Sequence, residues 1–562
     1  GAMRSASSAQ KIGLAFIMVV GGWLAFYSLF SPAFATNDDW GMLLRLQGKV
    51  VVDAPDIWLV YQHPLLAYLL SSLYQLMGGI PWYPLHLIIG LAVAHIVWMW
   101  LALENLGIKK ALIGFGLYMG LMGFPLLLQL QFSITAALLV GAGLSLWARA
   151  QHPQEPKIPW PMLLLALLLW SWGALIRWES ALLMSGIFLP GWLLSQGVIF
   201  SRPSRPLVIA MLGLGLCALA VKGSFLSLYA GQPSGQELLS YNVVRSRLMD
   251  DQLLEHLSEE KRSAVLASVG WTENEYQLLI RSFFPDQALF GEPKLRSLVA
   301  AAETAPMPWP DWKEVRLFAS IWVSGMAKGL WLLVLLIAWQ VKWNQAAWKR
   351  LGSWGALALI LLTYLWLFHK FPPARISEPI WVCLLGWSLL GPDSATTPRP
   401  LSPLWGKALL TVALLFIAYD FPSFYRQHQQ HSTQQQVARE ICQSLDTQTI
   451  YLSWPGLLPV ERLSPFASPT LYQDLRICEL GTQQLSPAVQ GSWQRWGLIP
   501  FGETLAQGEA WLWIIEADNR PMLELLRRFS QRHFHQDLDY RLVKEVGDLQ
   551  WYQIKAAHVP SL

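Results

Sequence analysis

An α-helical polytopic membrane protein with about 11 transmembrane helices and a C-terminal extramembrane α/β domain is the fold that this sequence predicts. Three observations carry it. Hydrophobic residues make up 54% of the 562-residue chain and charged residues only 14%, too few to cover a soluble surface of that size. Apolar runs of spanning length recur through residues 1–420. Residues 421–562 change character, alternating strand-like runs with polar helical ones. The net charge of +4 is divided among separate loops, which excludes nucleic acid as a partner class.

Spans are expected at 12–35, 83–106, 111–129, 132–150, 158–176, 180–200, 206–229, 316–341, 353–369, 376–391 and 405–420. Gly1-Ala2-Met3 reads as an expression remnant. The first apolar segment outruns a signal-peptide core and lacks a small-residue cleavage site, so it reads as a helix. The short connections then sort by charge. Arg4 and Lys11, Lys109 and Lys110, Arg149 and Lys157, Arg202 and Arg205, Lys342 with Lys349 and Arg350, and Arg399 with Lys407 all fall on one side. A cytoplasmic N-terminus satisfies the positive-inside rule at each of them. A bacterial inner membrane with the C-terminal domain in the periplasm is the location this implies.

Three polar segments then face outward, at 36–82, 230–315 and 421–562. "HPLLAYLLSSLYQLMGG" is short for a span and carries two Tyr, which suits a helix lying in the membrane interface. In the tail, Thr449 to Ser453, "AWLWIIEA" (510–517) and "WYQIKA" (551–556) read as strands. "ADNRPMLELLRRF" reads as a helix with Asp518 or Asn519 as cap and Pro521 in its first turn. Cys217 and Cys383 lie in apolar runs. Cys442 and Cys478 would either pair in a periplasm or remain buried thiols.

Asp38 and Asp39, in "ATNDDWGMLL", are the first candidates for chemistry. By local pattern Thr36 or Asn37 caps a helix, and two carboxylates in its first turn suit the positive end of the dipole. By position they follow the first span on the outer face, where a carboxylate can take a proton from an acceptor hydroxyl.

With the long first outer loop and its interfacial helix, this arrangement resembles the GT-C glycosyltransferases, in particular the aminoarabinose and mannosyl transferases. "YQHPLLAYLL", with His63, Pro64, Leu65 and Tyr68, is similar to that family's Lys/His-Pro-Pro-Leu element, but lacks the second proline. Asn37-Asp38-Asp39-Trp40 stands where the family more often has Asp-Glu. The motif likeness covers about residues 12–110 and continues beyond only as architecture. The resemblance implies sugar transfer from a polyprenyl-phosphate (undecaprenyl-phosphate) donor to a lipid, glycan or protein acceptor, with inversion. Asp38 or Asp39 would be the base.

A leaving phosphate needs positive charge, best supplied by guanidinium or ammonium groups. Arg177 in "GALIRWES", and Lys370 and Arg375 in "HKFPPARISEP", are the candidates at the outer boundary. Against that, Arg177 could pair with Glu179 to fix helix packing, and Lys370 and Arg375 could snorkel to headgroups. His63, Tyr68, Glu179 and Arg245 complete the substrate-binding candidates, with Tyr61 and Trp40 as further groove aromatics. In the large loop, Arg247 and Asp250 can pair at i,i+3, and Thr272 with Glu275 reads as a capping box.

A divalent cation such as Mg or Mn would find oxygen ligands in Asp38 and Asp39, with Asp53 and Asp56 nearby in sequence, but nothing requires it. No Walker loop, GxSxG elbow or HExxH element is present. The rivals are a lipid-linked polysaccharide polymerase or ligase using outer-loop arginines, a lipid-linked glycan transporter or flippase, and a non-catalytic assembly protein. The transporter would need charge inside the spans, and the charged candidates cluster at the boundary instead.

Overall fold

The computed structural model describes residues 7–151, 159–195, 204–283, 286–304, 312–313, 315–317, 319–320, 345–367, 374–390, 403–501, 504–505, 511–516 and 519–557. Among these, five helices are long and apolar enough to cross a membrane: Ser8–Leu29, Trp82–Leu106, Ile108–Leu128, Phe132–Arg149 and Arg205–Ala230. Trp160–Ile176 and Trp178–Leu194 are apolar but shorter. Gln345–Leu367, Ala374–Ser388 and Pro403–Ser444 follow. The expected span at 316–341 lies mostly outside the described residues. The chain is an integral membrane protein, mainly helical, with a sheet near its C-terminal end.

Phe132–Arg149 is the axis of the helical part, buried from Phe132 to Ala148. Small residues make that possible, because they let neighbouring backbones close in where lipid offers no hydrophobic drive. A Cβ on Gly143 would meet the Ala166 carbonyl oxygen at 2.8 Å, and one on Gly173 would meet that of Ala136 at 2.6 Å. The peripheral helices do the opposite. Ser8–Leu29 exposes Phe16, Ile17 and Leu24, and Arg205–Ala230 exposes Leu212, Leu216 and Leu219. These faces suit contact with lipid tails, since every backbone polar group behind them is paired within its own helix.

A second layer is built on the C-terminal sheet, whose strands lie in the order Arg476–Glu479, Ile450–Ser453, Trp511–Glu516, Leu549–Ala556, Leu538–Val546. The first three are parallel and the last two antiparallel to their neighbours. Together with the Arg520–Phe534 helix this is the α/β domain that the sequence predicts. The two strands that sequence patterning missed, Arg476–Glu479 and Leu538–Val546, are the sheet's two edges. Edge strands are short or polar because one side must discourage further pairing, so their alternation is weak. The helix at 405–420 does not stop at 420; it runs to Ser444, through a glutamine- and histidine-rich stretch that is mostly exposed. All four cysteines are free thiols, Cys442 and Cys478 both buried.

The segment at 36–82 is welded to this domain. The Ile477 N–H donates to the Val50 carbonyl at 2.9 Å, extending the sheet edge by one bridge. Arg45, fully buried, donates through Nε to Asp56 at 2.9 Å and also reaches Gln483 of the domain. Ser486 Oγ donates to the same Asp56 oxygen at 2.6 Å. Arg495 pairs with Asp53 and holds its carboxyl below the usual range. Arg45→Ala leaves the Asp56 charge buried without its partner, a loss of about 3–5 kcal/mol. A clear fall in melting temperature is therefore expected, and an unchanged melt would remove Arg45 from this role.

The large loop between the membrane helices docks too. Glu275 accepts the Thr272 N–H at 2.6 Å, as the capping pattern predicts, and also takes His533 at 2.9 Å and Arg532 at 3.3 Å from the domain. Arg247 does not pair with Asp250. The helix Pro233–Met249 ends before that residue, so Asp250 swings to Arg245 (3.4 Å) and Arg247 takes Asp251 (3.5 Å).

Candidate active site

A cleft of about 270 Å³ lies between the ends of the membrane helices and the layer built on the sheet. Its wall includes Asp38, Tyr61, Arg177, Arg245, Arg375 and Glu479. Five separate parts of the chain supply them. Asp38 stands in the first turn of the Asn37–Gln47 helix, and Arg245 in the last turns of Pro233–Met249. Arg375 opens the Ala374–Ser388 helix. Arg177 sits at an extended residue (φ −156°, ψ 111°) that breaks one apolar helix at Ile176 and starts the next at Trp178. That break turns a charged side chain out of the apolar layer at its boundary, where desolvation costs least.

The three guanidinium groups converge on one carboxylate. Arg375 Nη1 is 3.7 Å from Asp38 Oδ2. Arg177 lies over the rings of Phe132 and Tyr61, at 5.2 and 5.7 Å, and its Nη1 donates to Ser133 Oγ. Arg245 is buried and held by Asn242 (3.0 Å) and Asp250. Burial raises the Asp38 carboxyl above its ordinary value, against the pull of Arg375, Arg177 and Arg245. The site thus sets three guanidinium groups around a carboxylate whose affinity for a proton is increased, a pairing that suits an anionic ligand and a proton transfer.

Asp39, one residue on, faces the other way and is fully buried. Its Oδ1 accepts the Tyr83 hydroxyl at 2.9 Å and the Phe132 N–H at 3.2 Å, and its Oδ2 accepts the Thr36 hydroxyl at 3.1 Å. Burial pushes its carboxyl up to about 7, with these donors pulling it back. Thr36 is the N-cap residue, yet its side chain caps no backbone N–H and spends its hydroxyl on Asp39. The local reading holds for position, with Thr36 at the N-cap and both carboxylates in the first turn, but it does not describe their partners: Asp39 ties this helix to two membrane helices, and Asp38 lines the cleft.

The other expected site residues divide. Arg177, Arg245 and Arg375 meet in the cleft; Lys370 lies outside the described residues. Glu179 is 3.7 Å from Arg177, so the packing pair exists alongside the cleft contact. His63 lines no part of it. The ring is buried as the N-cap of Pro64–Leu76, with Nδ1 accepting the Leu65 N–H at 3.1 Å and Nε2 beside the Val221 carbonyl and Ser224. Tyr68 is 64% exposed on the far side of that helix, and Trp40 is buried against Phe34 and Tyr472. Asp53 and Asp56 are turned to Arg495 and Arg45, away from Asp38. Among the described residues no group of three or more His, Cys, Asp or Glu side chains is placed to hold a metal. Sequence reading missed Glu479, because nothing around it carries a motif.

A second, smaller groove opens on the membrane side. Arg177 and Arg375 line both spaces; below them the groove is walled by Ala137, Leu183, Ile376 and Pro379, with Glu179 at its edge. The two arginines therefore stand at a neck between a polar cleft and a mainly apolar groove.

No protein-family model matches the chain, and no curated protein matches it. Among solved structures the chain is similar to ArnT from Cupriavidus metallidurans bound to undecaprenyl phosphate, at 12% identity over 98% of each chain with a TM-score of 0.42. It is also similar to ArnT from the same organism in the apo state, at 12% identity over 97% of this chain and 98% of that one, with a TM-score of 0.43. At this identity and score, the conclusion about function rests on the residues of the cleft and not on these neighbours.

Proposed function

We propose that the protein is an inverting, GT-C-type glycosyltransferase that moves a sugar from a polyprenyl-phosphate donor, undecaprenyl phosphate being the expected carrier, to an acceptor at the outer membrane face. The observation that carries this reading is the neck: two arginines shared by a polar cleft and an apolar groove suit a ligand with a phosphate between a sugar and a hydrocarbon chain. Arg177 and Arg375 hold the phosphate, with Arg245 adding charge from the large loop and Lys370 as a further candidate. Asp38 takes the proton of the acceptor hydroxyl as its oxygen attacks the anomeric carbon. The bond from that carbon to the phosphate oxygen breaks, and the arginines stabilise the leaving polyprenyl phosphate. Concentrating phosphate and acceptor at one boundary also supplies the orientation that a displacement needs. The acceptor reaches the site from the water-facing side, which we take to be the periplasm of a bacterial inner membrane.

The direct test is sugar release from a panel of polyprenyl-phosphate hexoses and pentoses by the purified protein in nanodiscs. Donor-dependent transfer, with bare polyprenyl phosphate as the lipid product, is expected. Failure to bind any donor, or bare polyprenyl phosphate, would end the reading. Retained turnover after Asp38→Asn would instead favour the polymerase-like alternative, which also uses Arg245 and does not need Asp38.

A pH dependence follows from the Asp38 environment. Its raised pKa means that the base form appears only above the ordinary carboxylate value of about 3.9. The acidic limb of kcat/KM is expected to bend above that value. A limb at or below it, with the enzyme still folded, contradicts Asp38 as the base.

A further inference from the structure

We infer that Glu479, a carboxylate supplied by the C-terminal domain, is a positioning residue that binds hydroxyl groups of the transferred sugar, so that this domain completes the site; the inference rests on the glycosyltransferase reading above. The topology explains why the residue is there. Ile450–Ser453 and Arg476–Glu479 are adjacent parallel strands, so their C-terminal ends lie side by side. Ligands in open α/β sheets gather at that end, where the connecting loops converge. Here both loops reach the cleft: Pro455 after the first strand, and Glu479 with Gly481, Thr482 and Gln483 after the second. Asp38 lies across the same space.

The cations of the cleft are sorted by wall. Arg177, Arg245 and Arg375 all come from the membrane helices and the large loop, where Asp38 and Asp250 stand beside them, and none comes from the C-terminal domain. The domain's wall carries Glu479 and uncharged polar groups. A phosphate drawn to the arginines finds no cation on the domain's wall, so the part of the donor facing Glu479 is the uncharged, hydroxyl-rich part. An ionised carboxylate accepting sugar hydroxyls forms charge-assisted bonds, stronger than neutral ones.

Glu479 is also poorly provided for without a ligand. No described side chain is recorded hydrogen-bonding or ion-pairing with it. The cation that acts on it, Arg45, is already bound to Asp56. Burial raises the Glu479 carboxyl above its ordinary value, with Arg45 opposing the rise and the negative charge of Asp38 adding to it. Glu479 is half-buried on the cleft wall, where the hydroxyl groups of a ligand can replace water as donors to its carboxylate.

The experiment compares two probes on the full-length protein in nanodiscs: bare polyprenyl monophosphate, and the polyprenyl-phosphate sugar that gives turnover in the panel. Glu479→Gln keeps the shape, and Glu479→Ala removes it. Both are expected to weaken binding of the sugar-bearing donor and raise KM by about tenfold or more, the effect of losing a hydrogen bond to a charged group. Binding of bare polyprenyl phosphate is expected to stay within about twofold, and the Gln variant is expected to melt no lower than wild type. Equal weakening of both probes, or wild-type KM in both variants, overturns the assignment. Gly481→Ala is an independent check, since its methyl would stand 3.8 Å from Glu479 Oε1 in ordinary contact and crowd the same subsite. It should weaken the sugar-bearing donor selectively, and an effect equal on both probes counts against the subsite. If the wild-type protein binds neither probe, the transferase reading itself fails and takes this inference with it.

Discussion

Asp38→Asn is expected to lower transfer by about 10²–10⁴-fold while leaving the melting temperature near that of wild type. Asp39→Ala is expected to do the reverse, lowering the melt first. The difference lies in what each carboxylate touches. Asp38 faces a cleft and three arginines, at 28% side-chain exposure, so an amide there loses the proton acceptor but strands nothing buried. Asp39 satisfies the Phe132 N–H and the Tyr83 hydroxyl inside the protein. Truncating it leaves both unpaired, a cost of about 2–4 kcal/mol. Asp39→Asn keeps an acceptor oxygen for those donors and should be mild.

Asp39 also predicts a pH slope in stability. Its folded pKa of about 7 is above the unfolded value, so the folded state holds more protons between about 4 and 7. Stability from this group therefore falls as pH rises through that window, and Asp39→Asn should flatten that part of the curve. Activity lost equally in both Asp38→Asn and Asp39→Asn, with both proteins folded, would show that the two carboxylates act as one unit and that this division is wrong.

Removing either neck arginine is the second large effect. Arg177→Ala and Arg375→Ala should each weaken binding of bare polyprenyl phosphate by about 30-fold or more, the usual consequence of deleting one partner of a desolvated charge pair. Arg375→Lys is expected to recover only part of it, because a point charge does not reproduce the planar fork. The loss should shrink as salt screens the wild-type interaction. Arg375 stands 3.7 Å from Asp38, so its removal also takes a cation away from the base and should shift the acidic limb of the pH profile upward. Arg177 has a structural share through Ser133 and the Phe132 ring, and its variant should melt lower than that of Arg375. Wild-type affinity for the bare lipid in both variants would place the phosphate elsewhere.

The sequence by itself determined the membrane part. Spanning runs of apolar residues, and lysine and arginine confined to one set of loops, are local properties that a bilayer reads directly. It also determined that Asp38, Arg177 and Arg375 were worth attention, since charge at the edge of an apolar segment is expensive wherever the chain goes. Three strands of the domain were legible because they are central or well alternated; the two edge strands were not, because an edge must be poor in the very pattern that marks a strand. Only the tertiary structure decided which of two adjacent aspartates faces the cleft. Successive residues of a helix point about 100° apart, so the pair could not share one environment, and what surrounded each came from Tyr83, Phe132 and Arg375, far away in sequence. It likewise withdrew His63 into a helix cap and brought in Glu479, 441 positions beyond Asp38, from the end of a strand with no motif around it. Burial and partnership belong to the packed chain, and a residue's neighbours in sequence do not carry them.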